Sequence, residues 1–214
     1  MTDSKYGYWF SPNPDKAWAE KFFLIYLPFF FFINGAKQAF GWMNVGTFWH
    51  LAQNLALLLP LIIIPALMRP AKTGRPWWDN YAVKFVLWMF CYNFIATYFL
   101  TEYFFDVLGM VYYFPQVNWF FDSALLGSGE QQVPIGMYFN AVAFFVVYHT
   151  IAVIMIRRIL TLPMGVLKPA IAVVTIFVVA YLMAFLETRL VATDANAPYF
   201  EYKDLGFMLK WGSL

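Results

Sequence analysis

The sequence predicts an all-α, polytopic membrane helix bundle of about five transmembrane helices, with an interfacial, aromatic-rich loop between the third and fourth. Composition is the first observation behind this: of 214 residues, 62% are hydrophobic and 22% aromatic, while only 12% are charged. A soluble globular domain carries about a quarter charged residues. The second is length. A span needs roughly 20 mostly apolar residues, because the hydrocarbon core is about 30 Å thick and a helix rises ~1.5 Å per residue, and five segments qualify. The third is charge placement, since the cations gather in alternate connections.

The segments cover about residues 22–36, 47–68, 81–101, 133–156 and 169–188. The first follows MTDSKYGYWFSPNPDKAWAEK, which lacks the short basic start and small-residue cleavage site of a secretory signal, so it reads as a retained helix. It contains Pro28 and leads to Asn34 and Lys37, whose ammonium is expected to snorkel to the interface. Pro60 and Pro65 should bend the second, a defect membrane helices tolerate when neighbours cover the freed carbonyls. Short connections leave one integral membrane domain, residues 1–214. The one cysteine, Cys91, lies in an apolar run, so neither a disulfide framework nor a thiolate metal cluster is expected. A diffuse net charge of +2 argues against a nucleic-acid partner.

Arg69, Lys72, Arg75 and Lys84 follow the second segment, and Arg157, Arg158 and Lys168 follow the fourth. Both connections should face the cytoplasm, which makes the amino terminus cytoplasmic. The connection from residue 103 to 132 has acids and no Lys or Arg, and belongs on the far side. Its length argues against a structureless loop. Its aromatic density suggests a cap lying along the interface, turning at Pro115 and at the GSG of residues 127–129.

Three titratable groups should share the far layer. Glu187 lies about 27 Å along the fifth segment from Pro169. Glu102 ends the third segment, and His50 enters the second from the same side. His149 is the most deeply embedded ionisable group, about 12 Å from the cytoplasmic boundary and roughly 15 Å in depth from Glu187. Each has a plainer role. An acid at a helix end can simply mark where the membrane stops, and His50 beside Trp49 reads as an interfacial pair. Within a span, though, ionisable groups generally face the interior and mark function. Glu187, His149 and Glu102 are therefore the candidate catalytic residues. Trp88, Tyr98, Tyr148 and Tyr181 are the candidate substrate-binding aromatics, helix core being the plainer role of Trp88 and Tyr98. The motifs GxSxG, GxxxxGK[ST], HExxH and GxGxxG do not occur. Acids beneath an apolar, aromatic cavity suit proton addition to and removal from a hydrophobic substrate, because desolvation favours the neutral carboxyl and aromatic faces stabilise a developing cation by about 2 kcal/mol.

Several long stretches go further: NPDKAWAEKFFLIYLPFF from Asn13, YAVKFVLW from Tyr81, YFLTEYFFDVLGMVYYFP from Tyr98, YHTIAVIMIRR from Tyr148, AFLET from Ala184 and PYFEYKD from Pro198. In content and order the chain resembles the cycloeucalenol cycloisomerase family along nearly its whole length. The resemblance implies an acid-catalysed isomerase that opens the 9β,19-cyclopropane ring of a cyclosterol, as from cycloeucalenol to obtusifoliol, without any cofactor. It implies a sterol substrate and a lipid bilayer as partners. The membrane would be the endoplasmic reticulum in a eukaryote and the cytoplasmic membrane in a bacterium. Glu20, Lys84, His149, Arg157, Arg158, Glu187, Glu201 and Asp204 are the ionisable positions it covers. Plant members carry His at the place of Glu102 and a basic residue at that of Asp106, so these two acids are not carried over. Members also continue with further hydrophobic segments beyond the region matching DLGFMLKWGSL. The rival readings are a sterol double-bond isomerase of the emopamil-binding type and a non-catalytic sterol or lipid binder. A missing internal repeat and an odd helix count stand against a secondary transporter.

Overall fold

A computed structural model of the chain describes residues 8–212. Its five long helices are α1 (Pro14–Ala39), α2 (Thr47–Met68), α3 (Tyr81–Asp106), α4 (Ile135–Thr161) and α5 (Lys168–Val191). Each is long and apolar enough to cross a membrane. The protein is thus an all-α, multi-pass membrane bundle. The helix α1 begins earlier than the apolar run alone indicates. Asn13 caps it, its Oδ1 accepting from the amides of Asp15 (3.0 Å) and Lys16 (3.2 Å), and Pro14 supplies the first helical residue. Hydrophobicity marks only the lipid-thick part of a helix, whereas the cap sets where it starts.

The hub is α4, which packs against the other four long helices. Residues spaced three or four apart turn one stripe of each helix inward. The core joins Ala19, Phe23, Tyr26 and Phe30 of α1 to Leu57 and Leu61 of α2, Val86 and Met89 of α3, and Val142 and Val146 of α4. The phenol of Tyr26 donates to the carbonyl of Leu57 within this core. By contrast α5 is peripheral: Ala172 and Thr188 are its buried residues, and its principal packing is on α4.

At one end, ion pairs fasten the helices. Asp15 accepts from Arg69 (2.9 Å) and from the Tyr81 amide (2.7 Å), joining α1, α2 and α3. The carboxylate of Glu20 takes a two-pronged contact from Arg157, joining α1 to α4. The opposite end is closed by chain the sequence left irregular. Strand β1 (Met110–Tyr112) pairs antiparallel with β2 (Phe200–Tyr202), Met110 opposite Tyr202 and Tyr112 opposite Phe200. The segment between α3 and α4 also reaches α2, where the Asn118 amide donates to Thr47 Oγ1 (2.9 Å). Three-residue strands are too short to show alternation, and their hydrogen bonds join positions about ninety residues apart, so local pattern reading misses them.

Candidate functional site

The capped end of the bundle collects most of the candidate residues. The end of α1, the start of α2, the end of α3, the start of α4 and the end of α5 meet there, tied by Thr193 to Gln38 (3.3 Å), Gln116 to Asn44 (2.8 Å) and the β1–β2 ladder. Glu187, Glu102 and His50 all lie at this end, in three separate surroundings.

Glu187, on the last turn of α5, is half-buried. Among the described residues it has neither a hydrogen bond nor an ion pair. Arg189 stacks over Phe185 instead, its guanidinium 5.8 Å from the ring centre. Three tyrosines, Tyr112, Tyr148 and Tyr202, lie within electrostatic reach of the carboxyl. Burial pushes the Tyr112 and Tyr202 phenols above their ordinary range, and the Glu187 charge adds to this. The ladder holds both tyrosines, from chain segments that follow α3 and α5 respectively.

Glu102, 3% exposed, has both carboxyl oxygens buried without a hydrogen bond. The amide of Gly129 approaches it without closing one. The GSG turn lies over this carboxyl. Gly127 has φ +83°, and a Cβ there would come within 2.6 Å of the Glu102 carboxyl carbon. Ser128 is anchored to Asp106, its amide at 2.8 Å and its hydroxyl at 2.7 Å. Glu102 and Glu187 are not among the charges acting on each other, so the two carboxylates share an end of the bundle without forming a pair.

His149 lies deeper, in an aromatic surround of Trp88, Tyr92, Phe145 and Tyr148, with ring centres 5.5–6.3 Å away. Its Nδ1 is 3.0 Å from the Phe145 carbonyl, a contact that makes Nδ1 the donor and leaves Nε2 free to accept. A cavity of about 200 Å³ opens beside it between α4 and α5, lined by Tyr148, His149, Ala152, Ile156, Ile176, Val179 and Ala180. Tyr148 lies in the lining of this cavity and also in the field of the Glu187 carboxyl. Of the other aromatics, Tyr98 stacks near Phe121 (5.1 Å) and accepts from the Ala124 amide (3.1 Å). Tyr181 stacks on Phe185 (6.1 Å), and Trp88 turns half its surface outward. Neither Tyr98 nor Tyr181 lines the α4–α5 cavity.

Two expectations are corrected. Lys37 does not snorkel: it is 3% exposed and donates to Asn54 Oδ1 (3.0 Å) and Asn34 Oδ1 (3.4 Å). Asn140 donates to the same two oxygens, at 2.9 and 3.2 Å. Nor is His50 an interfacial partner of Trp49. Trp49 is 63% exposed and His50 2%, because Gly136 of α4, having no side chain, lets the imidazole pack against its backbone. The spacings Asn34/Lys37 and His50/Asn54 place each pair on one helix face, which was the available signal. Their convergence across three helices was not. Among the described residues no cluster of His, Cys, Asp or Glu could hold a metal ion.

No family model and no solved structure matches the chain. It is 33% identical over 213 residues to a cycloeucalenol cycloisomerase of Arabidopsis thaliana, across 96% of this chain and 71% of that protein. A relationship of that extent joins the bundle and its capped acidic end to a known enzyme lineage: the chain belongs to the cycloeucalenol cycloisomerase family, a family of isomerases.

Proposed function

We propose that the protein opens the 9β,19-cyclopropane ring of a cyclosterol by adding one proton and removing another. The observation that carries this reading is the setting of Glu187: a carboxyl without a basic partner among the described residues, in whose field lie three tyrosines, one of which, Tyr148, lines the apolar cavity between α4 and α5. Glu187 in its acid form gives a proton to the cyclopropane methylene. The carbon–carbon bond breaks, the methylene becomes a methyl group, and a tertiary cation remains on the ring carbon. A base then removes the neighbouring ring hydrogen as a proton, and the electron pair of that bond forms the double bond. Electrons and atoms balance within the sterol, so neither oxidant nor reductant enters. The surrounding aromatic faces favour the cationic stage.

His149, with Nε2 free to accept, serves as proton relay or as a polar contact at the cavity. Glu102 is the second acid–base candidate, under its own glycine turn. The end carrying Arg69, Lys72, Arg75 and Arg157 faces the cytoplasm, which puts the amino terminus there and Glu187 toward the opposite leaflet. Wild type and Glu187→Gln, expressed in a host that accumulates cyclosterols, test the reading by lipid analysis. Wild type converts the cyclosterol and the variant does not. Unchanged conversion by the variant removes Glu187 from the mechanism, and no conversion by wild type removes the activity.

A further inference from the structure

We propose that Lys37 and His50 form the pole that binds the hydroxyl of the sterol, and so determine which end of the substrate is turned away from Glu187; this rests on the sterol-isomerase reading above. Among the described residues the buried ammonium of Lys37 has no carboxylate beside it, whereas the inward arginines are paired, Arg157 with Glu20 and Arg69 with Asp15. An ammonium has three donors. Two of them meet Asn54 and Asn34, whose oxygens also accept from Asn140, so the head group is pinned and one N–H remains. His50 brings the complementary opening: its Nε2 is buried and has no partner, and it lies within the field of Lys37. Buried polar atoms of this kind cost stability until a partner arrives.

An alcohol has the chemistry to answer both, being acceptor and donor at one oxygen. Its oxygen accepts from Lys37 while its hydrogen is donated to Nε2 of His50. A sterol carries such a group at one end and is otherwise apolar. Two aromatic contacts lead from this pole in the direction of the acid. The His50 ring packs on Phe114 at 5.1 Å, Phe114 packs on Tyr112 at 5.6 Å, and Tyr112 lies in the field of Glu187. Gly136 fixes the imidazole, since a Cβ there would stand 2.6 Å from His50 Nδ1 and 2.9 Å from Asn54 Nδ2.

The test compares equilibrium binding of a radiolabelled cyclosterol and its deoxy counterpart to the full chain in detergent. Wild type should bind the alcohol about tenfold tighter or better, the range of a hydrogen bond to a charged group. In Lys37→Met that preference should fall to about threefold or less, and likewise in His50→Leu, which serves if the first variant does not fold. Equal binding of the two sterols by wild type overturns the proposal, as does an intact preference in both variants or no binding of either sterol. Wild type that shows the preference yet never opens the ring sinks the isomerase reading and leaves the hydroxyl pole. Ring opening without the preference does the reverse.

Discussion

At the residue scale, surroundings decide which acid can act. Glu20 and Asp15 are spent on arginines, whereas Glu187 and Glu102 have no cation partner among the described residues. On the proposed mechanism, replacing Glu187 by Gln keeps the shape and removes the proton, so turnover should fall about 10²- to 10⁴-fold with folding intact, the usual worth of a general acid. Single-turnover assays on purified protein, with a melting curve as control, check this. Gly136 is the second sensitive position. Gly136→Ala drives a methyl group into His50 and Asn54, and should cost about 1–3 kcal/mol, read as a lower midpoint in thermal unfolding. The acid was legible in AFLETR, because a carboxylate ending an apolar run is conspicuous. The role of Gly136 was not, because a glycine matters there only through the imidazole of another helix.

At the element scale, the Glu20–Arg157 contact fastens α1 to α4 with side chains 3% and 13% exposed. Glu20→Gln leaves Arg157 buried without its counter-charge and should destabilise by about 3–5 kcal/mol. The double variant Glu20→Gln with Arg157→Met should lose less than Glu20→Gln alone, and a thermal-shift cycle of the variants decides it. The resemblance covers both residues without joining them; the partner of Arg157 lies more than a hundred positions away and no local pattern links the two. The GSG turn behaves likewise. Gly127→Ala meets both a positive φ and the Glu102 side chain, so it should loosen the turn from Asp106 and appear as faster amide exchange at Ser128.

For the whole molecule, the two ends differ in kind: one is tied by ion pairs and rich in cations, the other closed by a small sheet over acids and tyrosines. Single cysteines at Arg75 and at Ser128, in a Cys91→Ser background, should react with a membrane-impermeant maleimide from opposite sides of sealed vesicles, Arg75→Cys from the cytoplasmic side. Labelling from one side only would refute the orientation. The sequence by itself determined the helical class, the five spans and the cation-rich end. These follow from hydrophobic length and charge, which act locally against a uniform solvent, the bilayer. Only the tertiary structure decided the caps, the β1–β2 closure, the separation of Glu102 from Glu187, and the inward turn of Lys37 and His50. Those depend on which helix faces meet, and side chains distant in sequence become neighbours only when α4 packs among the rest.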